Sequence, residues 1–307
     1  MLYRPLGRTG LTVSEIGFGC ASWWGKPAFG ERQALRLVHA ALDRGVTLFD
    51  TGASYSQGQA EPRLGRALKG RDPSRLVIAS KAGTFFANGR IVRDFSAGAV
   101  RTSVERSLEN LGIEALGLLQ LHGPSMPELD EPLLRALEDL KSRGLVQTVG
   151  VNSFEPGVIA AAIRRPEIDV VMIDYNVLRP ERAPLIALAQ GAGRGVLAGM
   201  PLAMGHTGLK VAKIRGVQDL WYAARGLGRH RGEVRAGQRF GFLHELPQMT
   251  GSQAALAYVL ETPGVSAAVV GTTRMAHLVE DLAASGMRLP EPVRARIAAT
   301  QAELCNG

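Results

Sequence analysis

The sequence predicts an α/β fold: a closed (β/α)8 barrel of the TIM type, with an N-terminal β-hairpin ahead of it and a long basic insertion after its seventh strand. Strand-sized apolar runs alternate with amphipathic helical stretches along all 307 residues, with no internal break in composition. Several of those runs are apolar almost throughout, as strands buried on both faces of a parallel sheet are. With 46% hydrophobic and 21% charged residues the chain can bury a sizeable core, which excludes a disordered or fibrous protein. The expectation is one domain over residues 1–307, since barrels of this kind run to about 250 residues or more as a unit. An open doubly wound sheet is the competing architecture.

Taken in order, Tyr3–Val13 carries turn signals at Leu6-Gly7 and Thr9-Gly10 between extended residues, as a hairpin plugging the barrel bottom would. Strands are predicted at Glu15–Gly19, Thr47–Asp50, Leu76–Lys81, Leu116–His122, Thr148–Ser153, Val170–Asn176, Gly195–Met200 and Ala267–Thr272. Helices are predicted at Glu31–Arg44, Gln59–Lys69, Ala97–Leu111, Leu133–Arg143, Glu155–Arg164, Arg182–Gln190, Ser252–Thr262 and Met275–Ala284, where apolar residues recur at three- and four-residue spacing. In the third of these, Val100, Val104, Leu108 and Leu111 form the stripe, while Arg101, Glu105, Arg106 and Glu109 fall elsewhere. The long interruption Leu202–Gln248 is the segment where a compact barrel would carry a functional loop.

Several function classes are set aside by composition. Cys20 and Cys305 are too few for a disulfide framework and have no metal-ligand spacing, so a reducing cytosol is expected. The opening MLYRPLGRTG has no apolar core, and no run approaches the ~20 apolar residues of a membrane span, so neither export nor membrane insertion is expected. The net charge of +8 is concentrated between Gly208 and Phe240. There Lys210, Lys213, Arg215, Arg225, Arg229, Arg231, Arg235 and Arg239 face only Asp219 and Glu233. A solvated loop with a short helix explains this better than nucleic-acid binding, for which no motif accompanies it. A cover over an anionic cofactor is the third reading. No glycine-rich phosphate loop opens a helix; Gly17-Phe18-Gly19-Cys20 is the nearest and lacks the third glycine, which weakens a Rossmann reading.

Chemistry in barrels sits at the carboxyl ends of the strands. Ionisable groups ending apolar runs there are Asp50, Lys81 and His122, with Tyr55 just after Asp50 in the following loop. Any one of them alone is most simply the point where the chain surfaces; the four together are more specific. A phenol near pKa ~10 is a poor proton donor at neutral pH unless a cation stabilises its anion, which is the role of Lys81 toward Tyr55. A partly buried ammonium needs a carboxylate to stay charged, which is the role of Asp50. His122 then hydrogen-bonds a substrate oxygen or assists the proton. Such a set suits proton delivery to a carbonyl oxygen during hydride transfer.

The run LFDTGASYSQGQAEPRLGRAL (Leu48–Leu68), Ser80-Lys81, LLQLH (Leu118–His122), LKSRGLVQTVGVNSF (Leu140–Phe154) and PLAMG (Pro201–Gly205) resemble the aldo-keto reductase superfamily, from RPLGRTGLTVSEIGFG at the start to GTTRMAHLVEDL near the end. The resemblance implies a barrel that binds NADP(H), or less often NAD(H), across its strand ends. It implies Asp50, Tyr55, Lys81 and His122 as a catalytic tetrad, with Tyr55 the acid in reduction and the base in oxidation. It also implies Cys20 and Ala21 as first-loop cofactor contacts beside Asp50, and Asn152 with Ser153 as the polar pair on the nicotinamide carboxamide, in the reverse of the family's usual order. Met172, Gly199, Met200, Pro201 and Leu202 would border the ring. Gly271, Thr272, Thr273, Arg274, His277, Glu280 and Asp281 would hold the adenosine and its 2′-phosphate, for which a helix start and Arg274 are suited. Two positions depart from the family pattern: Met172 stands for a usual glutamine and Gly199 for a common stacking aromatic.

Substrate contacts are expected among the aromatics of the long loops: Trp23, Trp24 and Phe29 in the first, Phe85 and Phe86 after Lys81, and Trp221-Tyr222 in the basic insertion, although each is equally well read as packing. The first functional reading is a cytosolic NADP(H)-dependent oxidoreductase that interconverts an aldehyde or ketone and its alcohol. A sugar or polyol dehydrogenase using NAD(P), suggested by Gly199, is its neighbour in chemistry. A cofactor-binding regulatory or interaction subunit is the reading from another class.

Overall fold

The computed structural model describes residues 1–205 and 231–305. Eight parallel strands close a barrel, in the order β10-β11-β12-β3-β4-β5-β8-β9. They are β3 (Ile16–Gly19), β4 (Leu48–Asp50), β5 (Val77–Ala82), β8 (Leu116–His122), β9 (Val146–Asn152), β10 (Val170–Asp174), β11 (Gly195–Gly199) and β12 (Ala267–Val270). The fold class read from the sequence is therefore the observed one, and the open sheet is excluded by the β12–β3 pairing that closes the ring.

Strand parity explains why the runs are apolar throughout. Successive side chains point to opposite faces. Leu48, Val77, Ala79, Leu118, Val170, Met172, Leu197 and Ala267 fill the barrel interior, while Phe49, Ile78, Leu119, Leu121, Val149, Val171, Val196 and Ala268 pack outward with the helices. Both faces are dry, so neither offers the polar alternation of a half-exposed strand. The N-terminal hairpin pairs β1 (Tyr3–Pro5) with β2 (Thr12–Ser14), and its Leu6 and Val13 join the interior cluster from below. Gly7, at φ +59°, is required here: a Cβ would overlap the backbone of Arg194 and Gly195. Glu15 ties this end together, accepting from Arg4, from Ser285 Oγ at 2.8 Å and from Gly286 N at 2.7 Å.

Helix boundaries differ from expectation where caps decide them. The fourth helix is Glu131–Ser142, two residues earlier than its apolar stripe, because the Asp130 side chain accepts from Leu133 N at 2.9 Å and Pro132 suits a first turn. A second hairpin and a final helix were not expected. A second hairpin, β6 (Thr84–Ala87) with β7 (Arg90–Arg93), leaves the end of β5, turning at Asn88-Gly89 with both residues at positive φ. A final helix, Glu291–Cys305, closes the described chain.

Of the basic stretch 208–240, residues 208–230 lie outside the described part, and Trp221 and Tyr222 with them. The chain re-enters as the helix Arg231–Gln238, where Glu233 pairs with Arg179, which in turn pairs with Asp174 at the end of β10. Among the described residues no helix is long and apolar enough to cross a membrane.

Candidate active site

Asp50 ends β4 and Lys81 lies on the neighbouring strand β5, both on the interior face at the upper rim. Lys81 is 1% exposed, and its Nζ donates to Asp50 Oδ1 at 2.7 Å, Asp50 Oδ2 at 2.6 Å and the Thr51 carbonyl at 2.8 Å. Burial disfavours the ammonium, but Asp50 and Tyr55 outweigh it and raise the Lys81 pKa above its ordinary 10.5. The amine is therefore a cation throughout the physiological range.

Tyr55 reaches the same point from the loop after β4. Lys81 Nζ lies 4.8 Å from the centre of its ring. The loop is held open by a left-handed run, Ser56 at φ 53°, Gln57 at 62° and Gly58 at 80°, of which the two non-glycine residues cost about 1 kcal/mol each. Burial pushes the Tyr55 phenol above its ordinary 10.0, and the charge and hydrogen bonding of Lys81 only partly offset that. The expected tuning by Lys81 is thus present in sign, with desolvation the larger effect. His122, at the end of β8, meets Tyr55 edge to face at 5.5 Å. Its pKa falls to about 3, first through burial and then through the charges of Lys81 and Arg93, so the imidazole is neutral.

Two polar partners in this cluster were not singled out from the sequence. Gln120 is fully buried one step below His122 on the interior face, and its Nε2 donates to Asp50 Oδ1 at 2.7 Å. It is the one polar residue inside the apolar run LGLLQLH, at the same strand parity as His122, which is the signal that marks it. Thr84, on the second hairpin, places Oγ1 2.6 Å from His122 Nδ1 and 3.2 Å from Ser54 Oγ. The Asn88-Gly89 turn that brings it there was available as a hairpin signal.

The expected cofactor residues line the ends of the first and the fifth to eighth barrel strands. Asn152 is in register with His122 on one side and Met172 on the other, and Ser153 Oγ accepts from Glu155 N at 3.1 Å. Met172 is 5% exposed and belongs to the interior packing. A Cβ at Gly199 would make only ordinary contact, 3.5 Å from Met172 Cγ, so packing does not demand a glycine there. Met200 and Ala203, at φ 51° and 46°, bend the following loop through Pro201 and Leu202, and Asn176 Nδ2 fixes it on the Met200 carbonyl at 3.0 Å. Beyond β12, Gly271 and Thr272 lead through the buried Thr273 to Arg274, the N-cap of the helix Met275–Leu282; its N donates to Thr272 Oγ1 at 3.1 Å, and its side chain makes no capping hydrogen bond. His277 is exposed on that helix and Glu280 half-buried. Asp281 is buried, and burial followed by the charge of Glu280 raises its carboxyl to about 7.

These groups suit a nicotinamide cofactor. Asn152 offers the donor and acceptor a carboxamide needs, and a helix start whose N-cap residue is an arginine offers N–H groups and charge to a phosphate.

Two expectations need correction. Trp24 is 1% exposed, packed edge to face on Phe18 with its carbonyl accepting from Arg63 Nη1 at 2.5 Å, so it lies beneath the first loop and cannot wall a substrate pocket. Cys20 is fully buried; its N donates to the Asp50 carbonyl at 2.7 Å, its carbonyl accepts from Thr51 Oγ1 at 3.3 Å, and burial raises its thiol well above 9.0. It packs under the mouth and presents no side chain to a ligand. Ala21 is half-buried at the start of that loop. Trp23 stays partly exposed, with Lys26 Nζ 5.1 Å from its ring centre, and so does Phe85, opposite Val92 in the hairpin. Trp221 lies outside the described residues.

Comparison with known proteins agrees with this geometry. A model of the family described as Aldo/keto reductase family matches residues 15–302. The chain is 26% identical to D-threo-aldose 1-dehydrogenase of a Pseudomonas species, over 94% of both chains. It is 27% identical to NADH-specific methylglyoxal reductase of Escherichia coli, over 66% of this chain and 67% of that one. Among solved structures it resembles an aldo-keto reductase of Bacillus halodurans in its holo form, at a TM-score of 0.80 and 26% identity, covering 98% of this chain and 96% of the other.

Proposed function

From the premise that the chain belongs to the aldo/keto reductase family and is an NAD(P)H-dependent oxidoreductase interconverting a carbonyl compound and its alcohol, we propose that Tyr55, Lys81, Asp50 and His122 carry the reaction and that NADP(H) is the preferred cofactor. The observation that carries the proposal is Lys81, held by both Asp50 oxygens while its charge lies 4.8 Å from the Tyr55 ring. A nicotinamide held at the mouth would supply the hydride in reduction and accept it in oxidation. Tyr55 gives its hydroxyl proton to the carbonyl oxygen as negative charge develops there, and the resulting phenolate is stabilised by the adjacent ammonium. Asp50 keeps that ammonium charged in a dry site. His122, neutral, hydrogen-bonds the same substrate oxygen. In oxidation the phenolate takes the alcohol proton back. Asn152 and Ser153 with the 199–202 loop would border the nicotinamide, and residues 271–274, His277 and the helix start would take the adenosine end.

The NADP(H) preference rests on Arg274 as the N-cap residue of Met275–Leu282, a cation placed by the chain at the start of a helix. Fluorescence titration of the protein with NADPH and with NADH tests it. Tighter NADPH binding that Arg274→Ala reduces to the NADH level is the expected outcome. Equal affinities in the unsubstituted protein would overturn the preference, and binding of neither would sink the cofactor site.

A second reading, oxidation of a sugar or polyol, is favoured by Gly199, which puts no aromatic side chain beside Met172, and by the likeness to an aldose dehydrogenase. Turnover of aldoses with oxidised cofactor, exceeding aldehyde reduction in a panel run in both directions, would select it. We take the enzyme to be cytoplasmic, in keeping with the free, buried thiol of Cys20.

A further inference from the structure

The His122 imidazole is held from behind by a residue of the second hairpin. Thr84 Oγ1 lies 2.6 Å from Nδ1, and Ser54 Oγ, 6% exposed, lies 3.2 Å from Thr84 Oγ1. Thr84 has one hydroxyl proton, so it can donate to Ser54 or to Nδ1 but not to both. In one arrangement Nδ1–H donates to Thr84, and Nε2 is left with a bare lone pair. In the other, the inward one, Ser54 donates to Thr84, Thr84 donates to Nδ1, and Nε2 carries the proton.

The chemistry of the reaction selects the inward direction, and the 2.6 Å separation is one a hydroxyl donor reaches. The oxygen of a carbonyl, and still more of an alkoxide, is an acceptor, so a bare Nε2 would repel the charge that the reaction develops. The ring has no third state to escape to, because burial, Lys81 and Arg93 keep it neutral.

The hairpin holds Thr84 in place. Gly83, at φ +86°, sits where a Cβ would overlap the Phe95 ring. Asp94 N donates to the Gly83 carbonyl at 2.9 Å. Arg93, opposite Thr84 in the ladder, donates through Nη1 to the Gly123 carbonyl at 2.7 Å, just beyond His122, and pairs with Glu128.

We propose that Thr84 is a positioning residue: its hydroxyl, backed by Ser54, fixes His122 as the Nε2-protonated tautomer and so makes a neutral imidazole the second donor to the substrate oxygen beside Tyr55. This rests on the reading above that His122 faces that oxygen.

The test is the ring protonation pattern of His122, read by 15N NMR of histidine-labelled full-length protein and assigned with His122→Asn, together with kcat/KM for Thr84→Val, Thr84→Ser and Ser54→Ala. The unsubstituted protein should show protonated Nε2 and unprotonated, hydrogen-bonded Nδ1. Thr84→Val should lose that single tautomer and about 10²-fold in kcat/KM at unchanged cofactor affinity. Thr84→Ser should restore both to within about threefold. Ser54→Ala should lie between. Protonated Nδ1 in the unsubstituted protein, or a Thr84→Val enzyme with the same tautomer and the same kcat/KM, overturns the proposal. A tautomer that shifts in Thr84→Val with no change in kcat/KM supports the tautomer control and overturns instead the reading that His122 meets the substrate. Should Thr84→Val not fold, the tautomer of the unsubstituted protein and the Ser54→Ala variant decide.

Discussion

The floor of the mouth, on β4, β5 and β8, and the segment after β12, the eighth strand of the barrel (the strand-eight end, residues 271–281), are built on opposite principles. At the floor Asp50, Lys81 and Gln120 are each at most 4% exposed and bond one another at 2.6–2.7 Å. At the strand-eight end Gly271 and His277 are exposed, Arg274 is half-buried, and its side chain makes no capping hydrogen bond to the helix start. A closed network has no redundancy, since each member is the partner that keeps another from being buried alone. A rim of separate contacts loses one contribution at a time. The floor should therefore respond to substitution as a unit and the strand-eight end in increments.

The largest effect should come from Lys81→Met. It leaves Asp50 buried with only the Gln120 amide, a loss of about 3–5 kcal/mol, and removes the charge that stabilises the Tyr55 phenolate. Tyr55→Phe removes the transferable proton but leaves the ion pair, so it should cost at least ~10²–10⁴-fold in turnover with little change in melting temperature. Thermal unfolding and steady-state turnover of both variants, measured together, break the comparison if Lys81→Met proves as stable as Tyr55→Phe.

Arg274→Ala should sit a step lower. A charge-assisted hydrogen bond at a half-exposed site is worth about 1.5–3 kcal/mol, so NADPH affinity should fall about 10- to 100-fold, with kcat at saturating cofactor nearly unchanged. A large fall in kcat at saturation would mean that the two regions are coupled, contrary to the incremental behaviour argued for the rim.

Smaller again is Gln120→Leu. The substitution removes one donor from Asp50, but also removes the buried Gln120 Oε1, which has no hydrogen-bond partner. The two effects oppose, and the net loss of stability should be about 1 kcal/mol, read by denaturant titration. A loss of 3 kcal/mol or more would show that Asp50 depends on Gln120 as much as on Lys81.

These contrasts also explain what could be read without coordinates. The strand ends bearing Asp50, Lys81 and His122 were legible because barrel geometry fixes which residue of an apolar run surfaces, and because period two sets the interior face. Thr84 and Gln120 left only partial signals, a turn at Asn88-Gly89 and a polar residue at interior parity, and neither signal names the partner, which for Gln120 lies 70 positions earlier. Trp24 misled because a loop aromatic under the chain and one over a pocket have the same sequence signature, and Arg63, which pins the loop from the second helix, lies far away. Cap residues shifted helix starts by the turn or less that an apolar stripe cannot resolve.

The smallest expected effect comes from pH, because the two regions act with opposite sign. His122 at the floor falls from 6.5 to about 3 on folding, so the unfolded chain binds its proton first, and stability from this group is present above pH 6.5 and lost as pH falls toward 3. Asp281 at the strand-eight end rises from 3.8 to about 7, so the folded state keeps a proton the unfolded chain has released, and its stability is present below pH 3.8 and lost as pH rises toward 7. Between about 3.8 and 6.5 the folded protein lacks one proton at His122 and holds one extra at Asp281, and these two contributions to the pH slope cancel. Single substitutions should uncover them. Stability of Asp281→Asn should rise with pH across that window relative to the unsubstituted protein, and that of His122→Asn should fall, as measured by urea midpoints at pH 4, 5 and 6. Parallel curves for the three proteins would remove the opposition between floor and rim; diverging curves would give each region its own titration.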